Sequence, residues 1–249
     1  LNNVGTTTLG GAIYAASLTT NANGTTAINT TTITTTNNQT YNDIVLLGAS
    51  SAPGLSVSLL ASQGSITFNS SIDDSGPAGT NSLSVNSDPV GHHGSSAFYG
   101  LVGATRALKS LTTTGIANLK GDIYTTNYQT YNDEVYLYTA SSPIQVTPTV
   151  VTLNPGTGDI TFNSIISAGW ALDGLVSLQI QPSTTSQMTV INGAVGTQYK
   201  LKNLSIGGAS TLVASASIAA YPTSRTIITT GTQTYTGAVT LGSDITLTT

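Results

Sequence analysis

The chain has 249 residues, no cysteine, a formal net charge of −4 and only 6% charged side chains, against about 25% in ordinary globular domains. Six Lys and Arg cannot neutralise the phosphates of a nucleic-acid partner, and 39% hydrophobic residues at low net charge argue against disorder. Threonine (45 residues) and glycine (26) dominate the rest; both are poor helix formers and β-branched side chains suit strands, so a helical protein is excluded.

At its start, Leu1-Asn2-Asn3-Val4-Gly5 has no basic stretch followed by an apolar one, so no secretory signal is read there. The missing initiator Met suggests a piece of something longer. The chain's apolar runs, such as Ile44-Val45-Leu46-Leu47, are strand-sized and far short of a membrane-spanning helix. The lack of cysteine suits exported and cytosolic chains alike. Low charge with abundant Thr, Ser, Asn and Gly favours an extracellular or bacterial cell-surface location.

Thr30-Thr31-Thr32-Ile33-Thr34-Thr35-Thr36 is strongly β-prone. A water-ordering array, as in ice-binding proteins, would need the same Thr pair on every coil. Thr-rich runs instead mark one region per unit (Thr112 to Thr114 and Thr226 to Thr230 are the others), so strand propensity is the reading adopted. Next comes Gln39-Thr40-Tyr41-Asn42-Asp43. It returns as Gln129-Thr130-Tyr131-Asn132-Asp133 and, relaxed, as Gln233-Thr234-Tyr235-Thr236-Gly237, at offsets of 90 and 104 residues.

Gly64-Ser65-Ile66-Thr67-Phe68-Asn69-Ser70 alternates apolar and polar residues with the period of a half-buried strand. It returns 94 residues on as Gly158-Asp159-Ile160-Thr161-Phe162-Asn163-Ser164. A third marker is Val4-Gly5, Val102-Gly103 and Val195-Gly196. Its second and third copies are followed by Leu108-Lys109-Ser110-Leu111 and Leu201-Lys202-Asn203-Leu204. These markers define imperfect units of about 95 residues, approximately 1–98, 99–192 and a truncated 193–249. In the last, Val239 and Leu241, then Ile245 and Leu247, are expected to point inward around a Gly-Ser-Asp turn. They join Ile66, Phe68, Ile160 and Phe162 as predicted core residues. Gln39, Tyr41, Gln129, Tyr131, Gln233 and Tyr235 are the repeat markers.

Short strands bounded by Gly, Asn, Asp and Ser, without a helical apolar stripe, predict an all-β chain. Tandem immunoglobulin-like β-sandwiches fit a unit of this size. So does a parallel β-helix with about four coils of roughly 20–25 residues per unit. The β-helix is adopted for three reasons. Trp170 is the only Trp available to fill sandwich cores. Length variation falls in loops such as Ser141-Ser142-Pro143 to Pro155-Gly156. Thr and Asn suit side-chain ladders at the ~4.8 Å strand spacing. One continuous solenoid over 1–249, of roughly 10 to 12 coils and about 50 Å, is expected.

The stretch Gln233 to Asp244, with Gly158-Asp159-Ile160-Thr161-Phe162-Asn163, resembles repeats of large bacterial surface exoproteins, the filamentous-haemagglutinin-like adhesins exported by the two-partner route. Asp43 and Asp133 stand where that pattern leads one to expect Gly. The resemblance implies a right-handed parallel β-helix, secretion, adhesive or matrix roles, and no catalytic residues or cofactor. The expected function is a non-catalytic structural and adhesive rod segment of a large cell-surface or secreted protein. Its expected partners are adjoining repeats or other copies, with cell-surface glycans and host or neighbouring cells as candidates. Because the sequence begins and stops inside repeats without a cap, a self-assembling extracellular filament or sheath subunit is the alternative.

Other constellations read as ordinary structure. His92-His93, in the turn-rich Asp88 to Gly94, reads as an exposed loop before a metal site. Asp73-Asp74 before Ser75-Gly76 reads as a turn. A polysaccharide-degrading β-helix would need clustered acids and cations, whereas this chain has one Glu (Glu134) and scattered Asp. Asp122, Asp159 and Asp244 read as turn residues, too sparse for a calcium ladder. Arg106, Lys109, Lys120, Lys200 and Lys202 read as solvated, with Lys109 and Lys202 at one repeat position and so expected on one face. The sequons at Asn29 and Asn203 follow from composition. Tyr124, Tyr128, Tyr131, Tyr136 and Tyr138 suggest a carbohydrate-stacking strip, though covering the core is the reading adopted.

Overall fold

A computed structural model describes residues 1–48, 54–87, 94–138, 149–184, 186–212 and 226–249. They form 28 short strands and no helix. Each strand pairs in parallel with the equivalent strand of the next coil, as Thr6–Leu9 with Thr25–Ile28 and Ile13–Ala15 with Thr32–Thr35. The chain is therefore a parallel β-helix. Its ladders run across all the unit boundaries, which tandem sandwiches could not do.

Three sheets make the walls. Sheet 1 runs from Thr6–Leu9 to Gln233–Tyr235, sheet 2 from Ile13–Ala15 to Val239–Leu241, and sheet 3 from Leu18–Thr19 to Thr246–Thr248. Sheet 2 has ten strands. In the other two, one rung shrinks to a single bridging residue: Val102 between Ile72 and Ile123, and Val195 between Ile166 and Ile227. The Val-Gly marker thus makes its own rung. Gly103 and Gly196 turn the chain there at φ of +70° and +69°. A Cβ would meet the carbonyl oxygens of Tyr124 and Ile228 at 2.2 and 2.1 Å, so only glycine fits. Val4-Gly5 is not equivalent: Val4 is exposed, and a Cβ on Gly5 meets nothing nearer than 3.5 Å.

Alternation along each strand sends every second side chain inward. One coil is too thin to bury these alone, so burial comes from coils stacking in register. In sheet 2 the inward column includes Ile33, Leu59, Val85, Phe162, Ile191 and Leu212, all buried. Aromatic rings also stack from coil to coil, in sheet 3 and within this sheet 2 column. Tyr41 lies 5.0 Å from Phe68, Phe68 lies 5.3 Å from Phe98, and Tyr131 lies 5.1 Å from Phe162. The predicted core residues Ile66, Phe68, Ile160 and Phe162 are all buried.

The outward column of sheet 2 is Thr32, Ser58, Ser84, Thr112, Thr130, Thr161, Val190, Thr211 and Thr240. The Thr30 to Thr36 run supplies Thr32 and the Thr112 to Thr114 run supplies Thr112, three coils apart with Ser58 and Ser84 between them, while Thr226–Ile228 belongs to sheet 3. The result is one hydroxyl column, broken at Val190, with no matching column beside it: the neighbouring outward positions are Thr34, Leu60, Asn86 and Thr114.

Predictions for the last coil need correction. Val239, Leu241 and Leu247 are exposed, and Ile245 is only partly buried. Their register is inward all the same, since Val239 pairs with Ser210, Leu241 with Leu212 and Leu247 with Ile227, all three partners buried. A solenoid core residue needs cover from the coils on both sides, and here one side is open among the described residues.

The repeat also differs from four whole coils. With Val102 and Val195 counted as rungs, each unit spans eleven, or three coils and two strands. Equivalent residues therefore step back one face per unit. Gln39–Tyr41 lies in sheet 3, Gln129–Tyr131 in sheet 2 and Gln233–Tyr235 in sheet 1.

Candidate functional site

The Gln-Thr-Tyr markers build one corner three times, buried in the first two copies and half-covered in the third. Gln39 and Gln129 occupy inward positions and are fully buried. Gln39 Nε2 donates to the carbonyls of Ile33 (3.3 Å) and Leu60 (2.8 Å), and its Oε1 accepts from the Tyr41 hydroxyl (2.9 Å). Gln129 does the same with Ile123, Asn154 and Tyr131, and Gln233 with Ile227, Thr248 and Tyr235. Each amide ties its own coil to the next, and both its hydrogens and its oxygen are used, as a buried amide requires. Burial pushes the Tyr41 and Tyr131 phenols far up, and Tyr235 up to about 12. The full motif is Ile-x-Thr-Thr-x-x-Gln-Thr-Tyr, starting at Ile33, Ile123 and Ile227. Its upstream half is legible in the sequence once the three copies are aligned.

The second marker caps this corner. A Cβ on Gly64 or Gly158 would lie 2.6 or 2.4 Å from the carbonyl carbon of Asn37 or Asn127, in the corner one coil below. The residues after Tyr41, Phe68, Tyr131, Phe162 and Ile191 are asparagines. They form external ladders: Asn69 donates to Asn42 (2.7 Å), Asn163 to Asn132 (3.0 Å) and Asn192 to Asn163 (2.9 Å).

The acidic residues are engaged in backbone architecture. Asp74 is buried and accepts from Gly76 N, Thr80 N, Asn81 N and Asn81 Nδ2 at 2.6–3.0 Å. Asp73 Oδ1 accepts from Thr105 N and Arg106 N. Asp43 accepts from the Thr20 and Thr26 hydroxyls, and Asp133 from Gly115 N. Asp122 and Asp159 accept from Thr152 N and Met188 N. No group of three potential metal ligands occurs among the described residues. His92 and His93 lie outside those residues, as does the Ser141-Ser142-Pro143 loop. Lys109 precedes a strand of sheet 2 and Lys202 a strand of sheet 1, so their shared repeat position does not place them on one face. No helix of the described residues is long and apolar enough to cross a membrane.

The five clustered tyrosines divide. Tyr131 is core and Tyr128 is exposed. Tyr124 shares its hydroxyl with Asp122 (3.3 Å), and burial, followed by the Asp122 charge, raises its pKa. Tyr136 and Tyr138 come together on sheet 3 with Trp170 and Tyr199 around a cleft of about 320 Å³, also lined by Asn118 and Gln198. The Tyr138 ring lies over Gly169, where a Cβ would be 2.4 Å from it. Its phenol is raised by burial first and then by Tyr99 and Tyr199. Lys120 Nζ sits 3.9 Å from the Tyr99 ring centre and 6.0 Å from that of Tyr138. The Tyr136 hydroxyl is 2.6 Å from both Glu134 Oε2 and Gln198 Oε1. The sequence alone did not join Trp170 and Tyr199 to this group, because they lie on later coils.

No family model, no curated protein and no solved structure matches the chain.

Proposed function

We propose that this chain is a structural and adhesive rod segment of a large bacterial cell-surface or secreted protein of the filamentous-haemagglutinin-like kind, and that it has no catalytic role. The observation that carries this reading is the buried Gln–Tyr corner, rebuilt once per unit and joining neighbouring coils. A repeating internal clasp is useful to a molecule that must stay straight and resist unfolding. The engagement of Asp73 and Asp74 with loop backbone also supports the reading, because those carboxylates already hold the fold. Low charge would let such rods lie close to glycans or to one another without strong repulsion.

Negative-stain imaging combined with a cell-adhesion assay on fragment-coated beads tests the proposal. Discrete rods of about 45 Å on beads that bind cells are the expected result. Rods on inert beads would remove the adhesive half. Long fibres of uniform width would favour the extracellular filament or sheath subunit instead. Turnover of an acidic polysaccharide, abolished by Asp73→Asn, would overturn the non-catalytic reading.

A further inference from the structure

We propose that the shelf made by Tyr136, Tyr138, Trp170 and Tyr199 binds a neutral glycan chain, with Asn118 and Gln198 as its hydrogen-bonding rim. This rests on the adhesive reading above and gives it a place on the rod and a ligand class.

The repeat supplies an internal control. Stepping back one unit, Gly76 and Arg106, the equivalents of Trp170 and Tyr199, line a second depression with Ser75, Pro77 and Ala78. The two share their framework: Ala168 N donates to Tyr199 O and Asp74 N to Arg106 O, each at 3.1 Å, and Gly174 N to Lys200 O and Gly79 N to Ala107 O, each at 2.8 Å. The side chains differ. Tyr136, Tyr138, Trp170 and Tyr199 stand where the earlier unit has Leu46, Gly48, Gly76 and Arg106. The third unit has Thr240 and Gly242 in place of the two tyrosines. The solenoid therefore closes equally well without this aromatic set. Trp170 is 75% exposed and contributes nothing to the core.

Its chemistry selects the ligand. The aromatic residues come from three successive coils, a span of about 10 Å at the usual strand spacing, enough for two pyranose rings. Flat aromatic faces take the apolar C–H faces of sugars, while amide and phenol groups take the hydroxyls around them. Glu134, bonded to the Tyr136 hydroxyl, places negative charge at the rim and disfavours uronates and sialic acids. Lys120 Nζ sits over the Tyr99 ring, 3.9 Å from its centre and 6.0 Å from that of Tyr138.

Trp170 is the only tryptophan in the chain, so its emission reports on this shelf alone. The 249-residue protein would be titrated with chitotetraose, cellotetraose and mannotetraose to about 10 mM, with tetragalacturonate as the charged comparator. A saturable shift of Trp170 emission with at least one neutral tetrasaccharide is expected. Tyr138→Ala and the exposed Gln198→Ala should each weaken it tenfold or more, while Tyr14→Ala, on a distant exposed tyrosine, should leave it unchanged. The proposal is overturned by no shift with any neutral tetrasaccharide, by tighter binding of the charged one, or by a shift that follows protein concentration and so reports self-association. Unchanged rods in micrographs of the same sample would show that the site has failed while the rod reading stands.

Discussion

The corner at Gln129 and Tyr131 and the corner at Gln233 and Tyr235 have the same residues, the same spacing and the same hydrogen-bond partners, yet they differ in burial. Gln129 and Tyr131 are fully buried, and Phe162 of the next coil stacks on the Tyr131 ring. Gln233 and Tyr235 are only half-covered, and the hydroxyl-to-amide bond lengthens from 3.0 to 3.4 Å. The motif specifies the bonds, and the neighbouring coil specifies what they are worth. A buried donor or acceptor left unpaired loses its full desolvation cost, whereas an exposed one turns to water.

Paired substitutions should therefore separate the two corners. Tyr131→Ala leaves a cavity beneath Phe162 and should cost about 3–5 kcal/mol in urea unfolding followed by circular dichroism. Tyr235→Ala should cost about 1 kcal/mol, because its site can refill with water. Equal losses would contradict the difference in burial. Gln129→Ala takes a donor from the Ile123 and Asn154 carbonyls, the latter still bonded to Thr125 N, and leaves the buried Tyr131 phenol without its acceptor; it should cost about 2–3 kcal/mol, with Gln233→Ala near 1 kcal/mol or less. Gly103→Ala forces a side chain into a left-handed turn and should cost about 1–3 kcal/mol. Gly5→Ala, which only resembles it in sequence, should be neutral within about 0.5 kcal/mol.

A further contrast is in pH. The corner phenols titrate higher in the fold than the ordinary tyrosine value of about 10. The unfolded chain thus releases these protons first, and folding binds more protons than unfolding does. Stability from this source is fully present below about pH 10 and falls as pH rises through the folded values. At the Tyr235 corner, pushed up to about 12, the fall should lie between about pH 10 and 12. Urea midpoints across that range should decline for the parent and decline less steeply for Tyr235→Phe.

Much of the architecture was legible in the residues. The alternation in Ile66-Thr67-Phe68, the recurrence of Gln-Thr-Tyr and the absence of any helical stripe were enough to predict strands, a repeat and a parallel β-helix. Those are local properties: period, turn chemistry and composition act within a few residues. Three expectations differ from the structure, for two reasons. Lys109 and Lys202, and Val4-Gly5 beside the other Val-Gly pairs, share a place in the sequence pattern but not in space. Val239, Leu241 and Leu247 have inward register but lack a covering coil on one side among the described residues. The aromatic shelf was only half visible, since Tyr136 and Tyr138 are close in sequence while Trp170 and Tyr199 belong to the next two coils.

By itself, then, the sequence determined which side chains alternate inward, where glycine turns occur and how often the clasp returns. Only the tertiary structure decided how many rungs separate the clasps. Eleven rungs around a three-sided coil rotate each unit by a third of a turn, and that rotation depends on loop and rung lengths added along the whole chain. It also decided which inward residues are truly covered and which distant aromatics meet, because both depend on what the neighbouring coil brings alongside.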